Sequence, residues 1–478
     1  MNSTLDNRTR WLALMVLCLG ELMIVLDTTI VNVALPSIRV DLQFSETALV
    51  WVVNAYMLTF GGFLLLGGRL GDLFGQRRVF LAGIALFTVA SLACGFAQSQ
   101  AMLIAARAVQ GLGGAVVSAV ALSLIMNLFT EPNERAKAMG VYGFVCAGGG
   151  SVGVLLGGLL TTLSWHWIFL VNLPIGVLVY AMSRRMLADT PGHAQDEPLD
   201  VAGAVAITSA LLLAVYAIVS GNEAGWTSAQ TLALLGAALT LKLVFLLLES
   251  RVRHPLVPLS LFRSRNVSAT NVIGVLWSAG MFAWFFISAL YMQQVLQYTP
   301  MQVGMAFLPA NLIMAAFSIG GSAKLVARFG LRGPLAAGLA LGAVGLLLFT
   351  RAPVDGQFVR DVLPGMVLLG LGSGIALNPL LLAAMSDVAP SESGLASGVV
   401  NTAFMMGGAL GLAVLASLAA AQTQGLLAQG ADATAALNAG YQMAMLVGAV
   451  FGGVAAVLSV WLVRDGANTS DLSASAHT

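Results

Sequence analysis

Fourteen stretches of about 20 consecutive, predominantly apolar residues run through the 478-residue chain, and nothing constrains its fold more. They fall at roughly 12–35, 47–68, 79–97, 102–128, 138–160, 165–183, 201–220, 229–248, 267–291, 303–323, 334–350, 362–384, 395–419 and 441–463. A run of this length matches the thickness of a bilayer's hydrocarbon core. With 58% of residues apolar and only 9% charged, too few charges remain to coat a water-facing surface of this size. In lipid, backbone groups must bond to one another, and the runs lack the short alternating pattern of barrel strands, so they read as helices. The first run is too long for a signal peptide and carries Glu21 and Asp27, so it counts as a span. The chain is expected to be an all-α integral membrane protein with 14 transmembrane helices.

Charge position fixes the expected orientation. Of the 22 lysines and arginines, Arg39, Arg351 and Arg360 fall on one side, Arg107 and Lys242 lie within spans, and the other 17 fall on the side of the N-terminus. Positive charge accumulates on the cytoplasmic face, which predicts both termini in the cytoplasm of a multi-pass protein of the bacterial inner (plasma) membrane. Cys18, Cys94 and Cys146 have no CxxC spacing, and His166, His193, His254 and His477 fall in loops or at span edges. No metal site is expected. The absence of a Walker A sequence excludes ATP as the energy source, and no cofactor or nucleic-acid partner is implied.

The chain repeats internally. Shifting GGRLGDLFGQRRVFLAG, which starts at Gly67, by 255 residues brings Arg69 onto Lys324, Phe74 onto Phe329, Gly75 onto Gly330, Arg77 onto Arg332 and Gly83 onto Gly338. A second echo pairs GLGGA from Gly111 with GLGSG from Gly370. The simplest organisation is an N-terminal six-helix bundle (1–187), two inserted helices with their linkers (188–261), a C-terminal six-helix bundle (262–463) and a disordered cytoplasmic tail (464–478). An inserted pair leaves both bundles in the same orientation.

Four stretches resemble the major facilitator superfamily, and within it the fourteen-helix drug:proton antiporters. They are LDTTIVNVALP (Leu26 to Pro36), GRLGDLFGQRR (Gly68 to Arg78), RAVQGLGGA (Arg107 to Ala115) and WHWIFLVNLPIG (Trp165 to Gly176). The resemblance implies the major facilitator fold, two pseudo-symmetric six-helix bundles plus the inserted pair, acting as a monomer. It also implies proton-coupled multidrug efflux, with small amphipathic, cationic or neutral substrates, protons and membrane lipid as partners. Gly68, Arg69, Asp72, Gly75, Arg77 and Arg78 would form a conformational latch in the short loop after the second span. Gly149, Gly153, Gly157 and Gly158 match the glycine pattern of the family's fifth span, but Val154 stands where proline is expected, which weakens the inference of exchange direction.

Residues able to carry the chemistry are few. A carboxylate at mid-bilayer is costly unless it meets water or a partner, and Glu21 and Asp27 are the two acids deep inside a span. Six residues apart on one helix, they lie about 9 Å apart along its axis and about 120° around it, so both can border a wide cavity. Arg107 lies at nearly the depth of Asp27, differing by about 5 Å, so it either pairs with Asp27 or snorkels outward. The expected proton-coupling set is therefore Asp27, Glu21 and Arg107. Asn32, Asn54, Tyr56, Gln110, Trp284 and Phe285 are expected to border a substrate cavity, although the ninth span carries so many aromatics that some must face lipid. Competing functions are a proton symporter or uniporter of a defined metabolite and a membrane-embedded sensor or enzyme. The first wants more charged groups in the cavity than these spans supply, and the second has no nucleophile motif or metal-ligand spacing to support it.

Overall fold

A computed structural model describes residues 7–129, 131–187, 200–252, 255–386, 388 and 393–464. His193, His254, His477 and all of the expected tail 464–478 beyond Arg464 lie outside them. The helices, in chain order, are α1 Asn7–Leu42, α2 Glu46–Phe74, α3 Gln76–Gly95, α4 Gln100–Leu128, α5 Pro132–Leu163 and α6 Trp167–Met186, the last with a turn at Val171. Then follow α7 Val201–Ala224, α8 Ala229–Arg251, α9 Arg265–Leu290 and α10 Pro300–Ala316. The chain ends with α11 Arg332–Phe349, α12 Leu363–Ser386, α13 Ser393–Ala428 and α14 Ala433–Leu462. Among the described residues there is no strand.

The expected count of fourteen spans needs one qualification. Among the described residues, thirteen helices are individually long and apolar enough to cross a membrane, whereas α10 is a shorter apolar helix. Its rod is completed by a π turn, Phe317–Gly321, that passes into a polar-faced helix, Ser322–Phe329. The apolar count underestimated most other helices, because a helix continues past the hydrocarbon wherever capping and packing satisfy its ends. Thus α1 reaches Leu42 through an internal Pro36. Starts are set by Ser45, Ser99, Ser228, Ser264 and Asp200, each accepting a backbone N–H two or three residues into its helix, and by a capping box at Thr299 and Gln302.

The two halves pack alike. In the first, α4 lies between α2 and α3; in the second, α12 lies between α10 and α11. The paired glycines explain how. A Cβ at Gly111 would lie 2.4 Å from the Tyr56 carbonyl of α2, and one at Gly370 2.3 Å from the Ala310 carbonyl of α10. Gly113 likewise abuts the Phe87 backbone of α3, and Gly372 the Gly338 carbonyl of α11. Small residues let these helix backbones touch. In the repeated loops, Gly75 and Gly330 both end a helix with positive φ, 94° and 73°.

Two seams join the halves, α5 against α10 and α2 against α13. Of the four expected fifth-span glycines, three pack α5 on α1 and one, Gly158, serves the first seam. Gly149, Gly153 and Gly157 face α1 at Leu22 and Val25, Thr29 and Ile30, while Gly158 meets Pro300 and Met301 at the start of α10. Val154 is fully buried, and its carbonyl meets Gly304 of α10. The inserted α7 lies across the second seam. Thr208 touches Gly62 of α2, and Asn222 donates to the Ser417 carbonyl and hydroxyl of α13 at 2.7 and 2.9 Å. α8 packs chiefly on α7 and is the span least buried by protein, with Lys242 exposed on it.

Alanine at Gly111 or Gly370 should overfill these contacts and cost about 1–3 kcal/mol. Alanine at Gly140, which faces open space, should cost nothing. Thermal unfolding of the three detergent-solubilised variants checks this: a lower midpoint is expected for the first two only.

Candidate functional site

The site begins with α1 running antiparallel to α4. Glu21 and Asp27 are about 9 Å apart along α1, whereas their partners on α4, Ser118 and Arg107, are about 16 Å apart by helical rise. The long arginine side chain closes the difference, reaching along α4 to meet Asp27. Arg107 Nη1 lies 2.5 Å from Asp27 Oδ2, and the two side chains are 1% and 0% exposed. The remaining groups are satisfied from four helices. Asp27 Oδ1 accepts from Gln110 Nε2 at 2.8 Å and from Asn172 Nδ2 at 3.1 Å. Arg107 also donates to Gln110 Oε1 at 2.8 Å and to the Val52 carbonyl at 2.9 Å. Its guanidinium lies 4.4 Å from the ring centre of Tyr56 and 5.7 Å from that of Phe169. Such faces stabilise a desolvated cation. Asn172 is anchored in turn on Ser91, whose hydroxyl donates to the Phe169 carbonyl.

Below this network opens a cavity of about 930 Å³. Its floor is Arg107, Asn32 and Tyr56, its middle Glu21, Ser118 and Tyr142, and its mouth Gly68, Asp72, Gln76 and Asn127. Phe282, Asn401 and Met405 close it from the second half. The mouth is at the end that carries the basic loops. Glu21 is 7% exposed and takes the Ser118 hydroxyl on both carboxylate oxygens, at 3.1 and 2.9 Å. Asp27 is not part of the wall: Arg107 stands between it and the cavity.

At the opposite end the halves are sealed. Arg39 Nη1 donates at 2.8 Å both to Glu46 and to Gln294 of the second half, and the Gln294 side-chain carbonyl also accepts from Tyr441 at 3.1 Å. Gln293 donates to the Val33 carbonyl of α1 at 2.8 Å. The conformation is closed at that end and open at the basic end.

The expected site residues are thus distributed unevenly. Asp27, Arg107 and Gln110 come together, Glu21 sits nearby in the cavity, and Asn32 and Tyr56 border it. Four residues expected in the cavity do not line it. Gln110 is behind Arg107, held in the ion-pair network. Asn54 is fully buried against α13 and donates to the Ala409 carbonyl. Trp284 and Phe285 turn away into the core of the second half, where both rings pack with Phe307. Helix α9 has two apolar sides to fill, and Phe282 is the aromatic on its cavity side. In the loop after α2, Asp72 and Gly68 border the cavity mouth, Arg69 and Arg78 occupy exposed positions, and Arg77 donates to the Arg184 carbonyl at the end of α6. Neither Asn172, Ser91 and Ser118 nor the Arg39–Gln294–Tyr441 seal was anticipated. Only Asn172 carried a signal, as part of WHWIFLVNLPIG.

A polytopic helical bundle with pseudo-repeated halves and a central cavity open at one end is the architecture of a membrane transporter. The profile of the Major Facilitator Superfamily matches residues 17–412, and the chain belongs to that family. It is 40% identical over 430 residues to a puromycin resistance protein of Streptomyces alboniger, covering 89% of this chain and 85% of that one. It is 39% identical over 426 residues to a cephamycin export protein of Amycolatopsis lactamdurans, covering 88% and 87%. Its fold resembles the crystal structure of a bacterial homologue of the human lysosomal transporter Spinster in an inward-facing, unoccupied conformation, with a TM-score of 0.69 at 14% identity over 97% of this chain and 99% of that one. The protein is a multi-pass membrane transporter of small molecules and not an enzyme.

Removing one member of a buried ion pair leaves a desolvated charge and costs about 3–5 kcal/mol, whereas neutralising both costs far less. Arg107→Gln should therefore destabilise the protein more than the double variant Asp27→Asn/Arg107→Gln. A double-mutant cycle on unfolding in detergent reads this as a coupling of at least about 2 kcal/mol; additive effects would rule the coupling out.

Proposed function

We propose that the chain exports small amphipathic, cationic or neutral compounds in exchange for protons, by alternating access of its two halves. The observation that carries this reading is the placement of Asp27. A carboxylate fully buried among α1, α4 and α6 is shielded from an open cavity by a single arginine. Protonating Asp27 would release Arg107 towards the cavity, and returning Arg107 would expel the proton, so one cation alternates between two states. The resistance and export proteins that the chain resembles support a drug-like substrate. The cavity suits such a substrate, with Met57, Met126, Met139, Met385 and Met405 offering adaptable apolar contacts around a few polar groups. Glu21 is the second titratable group on this path.

In this reading the basic end is cytoplasmic, both termini lie there, and the monomer consists of bundles 1–187 and 262–463 with the pair 188–261 inserted. The loop from Gly68 to Arg78 then acts as the latch. Asp72 stands at the cytoplasmic mouth, ready to meet the second half when the mouth closes, while Gly75 and the Arg77 contact hold the loop's shape.

The test is flux of a fluorescent lipophilic cation in proteoliposomes under an imposed pH gradient. Asp27→Asn should cut gradient-driven flux by more than about tenfold while leaving gradient-independent exchange of the cation. Cation and proton moving in the same direction would replace exchange with symport. Full gradient-driven flux in Asp27→Asn would remove Asp27 from the coupling.

Asp72→Asn should slow turnover about 3- to 10-fold with little change in the cation's apparent affinity, since the loop governs closure of the mouth and not recognition. The same assay separates the two. A change confined to affinity would contradict the latch role.

A further inference from the structure

A second pair of buried acids lies far from the cavity, where the inserted helices meet the linker into the second half. Asp200 caps α7: its Oδ1 accepts the Gly203 N–H at 2.7 Å, and the residue is 7% exposed. Glu249, in the last turn of α8, is 3% exposed, and its Oε2 accepts the Val257 N–H at 2.9 Å. The other oxygen of each, Asp200 Oδ2 and Glu249 Oε1, is buried without a hydrogen-bond partner. Both converge on Gly203, where a Cβ would lie 2.4 Å from Asp200 Oδ2 and 2.9 Å from Glu249 Oε1. Glycine is what allows the two carboxyl groups to approach.

The hydrogen-bond accounting has one simple solution. Two ionised carboxylates facing each other without a cation would be strongly disfavoured. Among the described residues, Lys242, Arg251 and Arg263 are exposed and bond to neither acid. Arg265 donates instead to the Trp461 and Leu462 carbonyls. One proton on Glu249 Oε1, donated to Asp200 Oδ2, satisfies both orphaned atoms. It leaves Asp200 ionised, as an N-cap prefers, and leaves Glu249 Oε2 free to accept from Val257.

We propose that Asp200 and Glu249 share one proton and form a pH-sensitive clasp joining the start of α7, the end of α8 and the linker at Val257. Because α7 lies across the seam between α2 and α13, the clasp fixes the base of the insert against the linker into the second half. Loss of the shared proton at high pH sets two carboxylates against each other and frees the linker. The contribution is present at low pH and lost as pH rises.

Hydrogen-exchange mass spectrometry of the full-length protein in detergent tests this, corrected for intrinsic exchange rates. Between about pH 6 and about pH 9, protection of the peptide containing Val257 and of the first turn of α7 should fall about tenfold or more in the wild type. Glu249→Gln supplies an amide that donates to Asp200 at every pH while its carbonyl keeps the Val257 bond, so protection should be high and pH-independent. Glu249→Ala should be poorly protected throughout. Wild-type protection that does not change with pH, or a Glu249→Gln variant retaining the full wild-type pH response, would overturn the proposal. So would protection at pH 9 restored by millimolar calcium, which would make the ligand a metal ion. None of these readings depends on transport.

Discussion

The charge pair between Asp27 and Arg107 is the interaction around which the first half is organised. Two opposite charges withdrawn from water are tolerated only if their geometry is good and every remaining donor and acceptor is met. The surroundings go far to meet that demand, although Asn172 Oδ1 and the Tyr56 hydroxyl are buried without a partner. Gln110 bonds both partners, Asn172 reaches in from α6, Ser91 braces Asn172, and the rings of Tyr56 and Phe169 flank the guanidinium. The glycines of α4 are part of the same solution. Gly111 brings α4 against the Tyr56 backbone on α2, so that ring and guanidinium meet. A pair held by four helices cannot change its protonation without altering their contacts, and in the proposed exchange this is how a proton would be felt as a change in shape.

The second half has the same helix packing without the charges. Gly370 and Gly372 repeat the close approaches of Gly111 and Gly113, but at this level of α12 no ionisable side chain follows, and the helices around it are filled with aromatics and leucines. One half therefore carries the titratable groups while the other supplies an apolar wall, with Phe282 and Met405 facing Glu21 across the cavity. The halves are matched in backbone and divided in chemistry. The seal between Arg39, Gln294 and Tyr441 has a different character from the ion pair. It is polar and only partly buried, so the halves can part there without desolvated charges being left behind.

Much of this was legible in the sequence because it follows from solvent. Span number, helical class and the repeat are consequences of burying backbone in lipid twice over with the same packing. Asp27 and Arg107 stood out because a charge inside a span requires a reason, and their matched depths pointed to each other. What escaped was direction around a helix axis. Nothing in the order of residues distinguishes Phe282, on the cavity wall, from Trp284 and Phe285, in the core, since all three are aromatic and within one turn. Asn54 was misplaced for the same reason: an asparagine within a span signals a hydrogen bond but not its partner, here a backbone carbonyl of α13. Ser91 and Ser118 were silent because serine is common in membrane helices. The expected proline's replacement by Val154 has a local consequence. Valine keeps its backbone N–H and packs, fully buried, where α5 meets α10, the seam that must move if the halves are to alternate.

The insert raises a separate question, because a pair of helices added between two bundles could have been a passive tether. Its two helices behave differently. α8 presents most of its surface to lipid, while α7 bonds to the second half through Asn222 and Ser417 and touches the first through Thr208 and Gly62. A helix joined to both sides of a seam must either move with one half and slide on the other, or restrain both. The Asn222 bonds are polar and specific, whereas the Thr208 contact is a steric fit against glycine. Sliding is therefore cheaper at α2 than at α13, and α7 should travel with the second half. That places the relative motion at the contact of α7 with α2, and makes the chemistry at Asp200, where α7 begins, a determinant of how freely the first half can move.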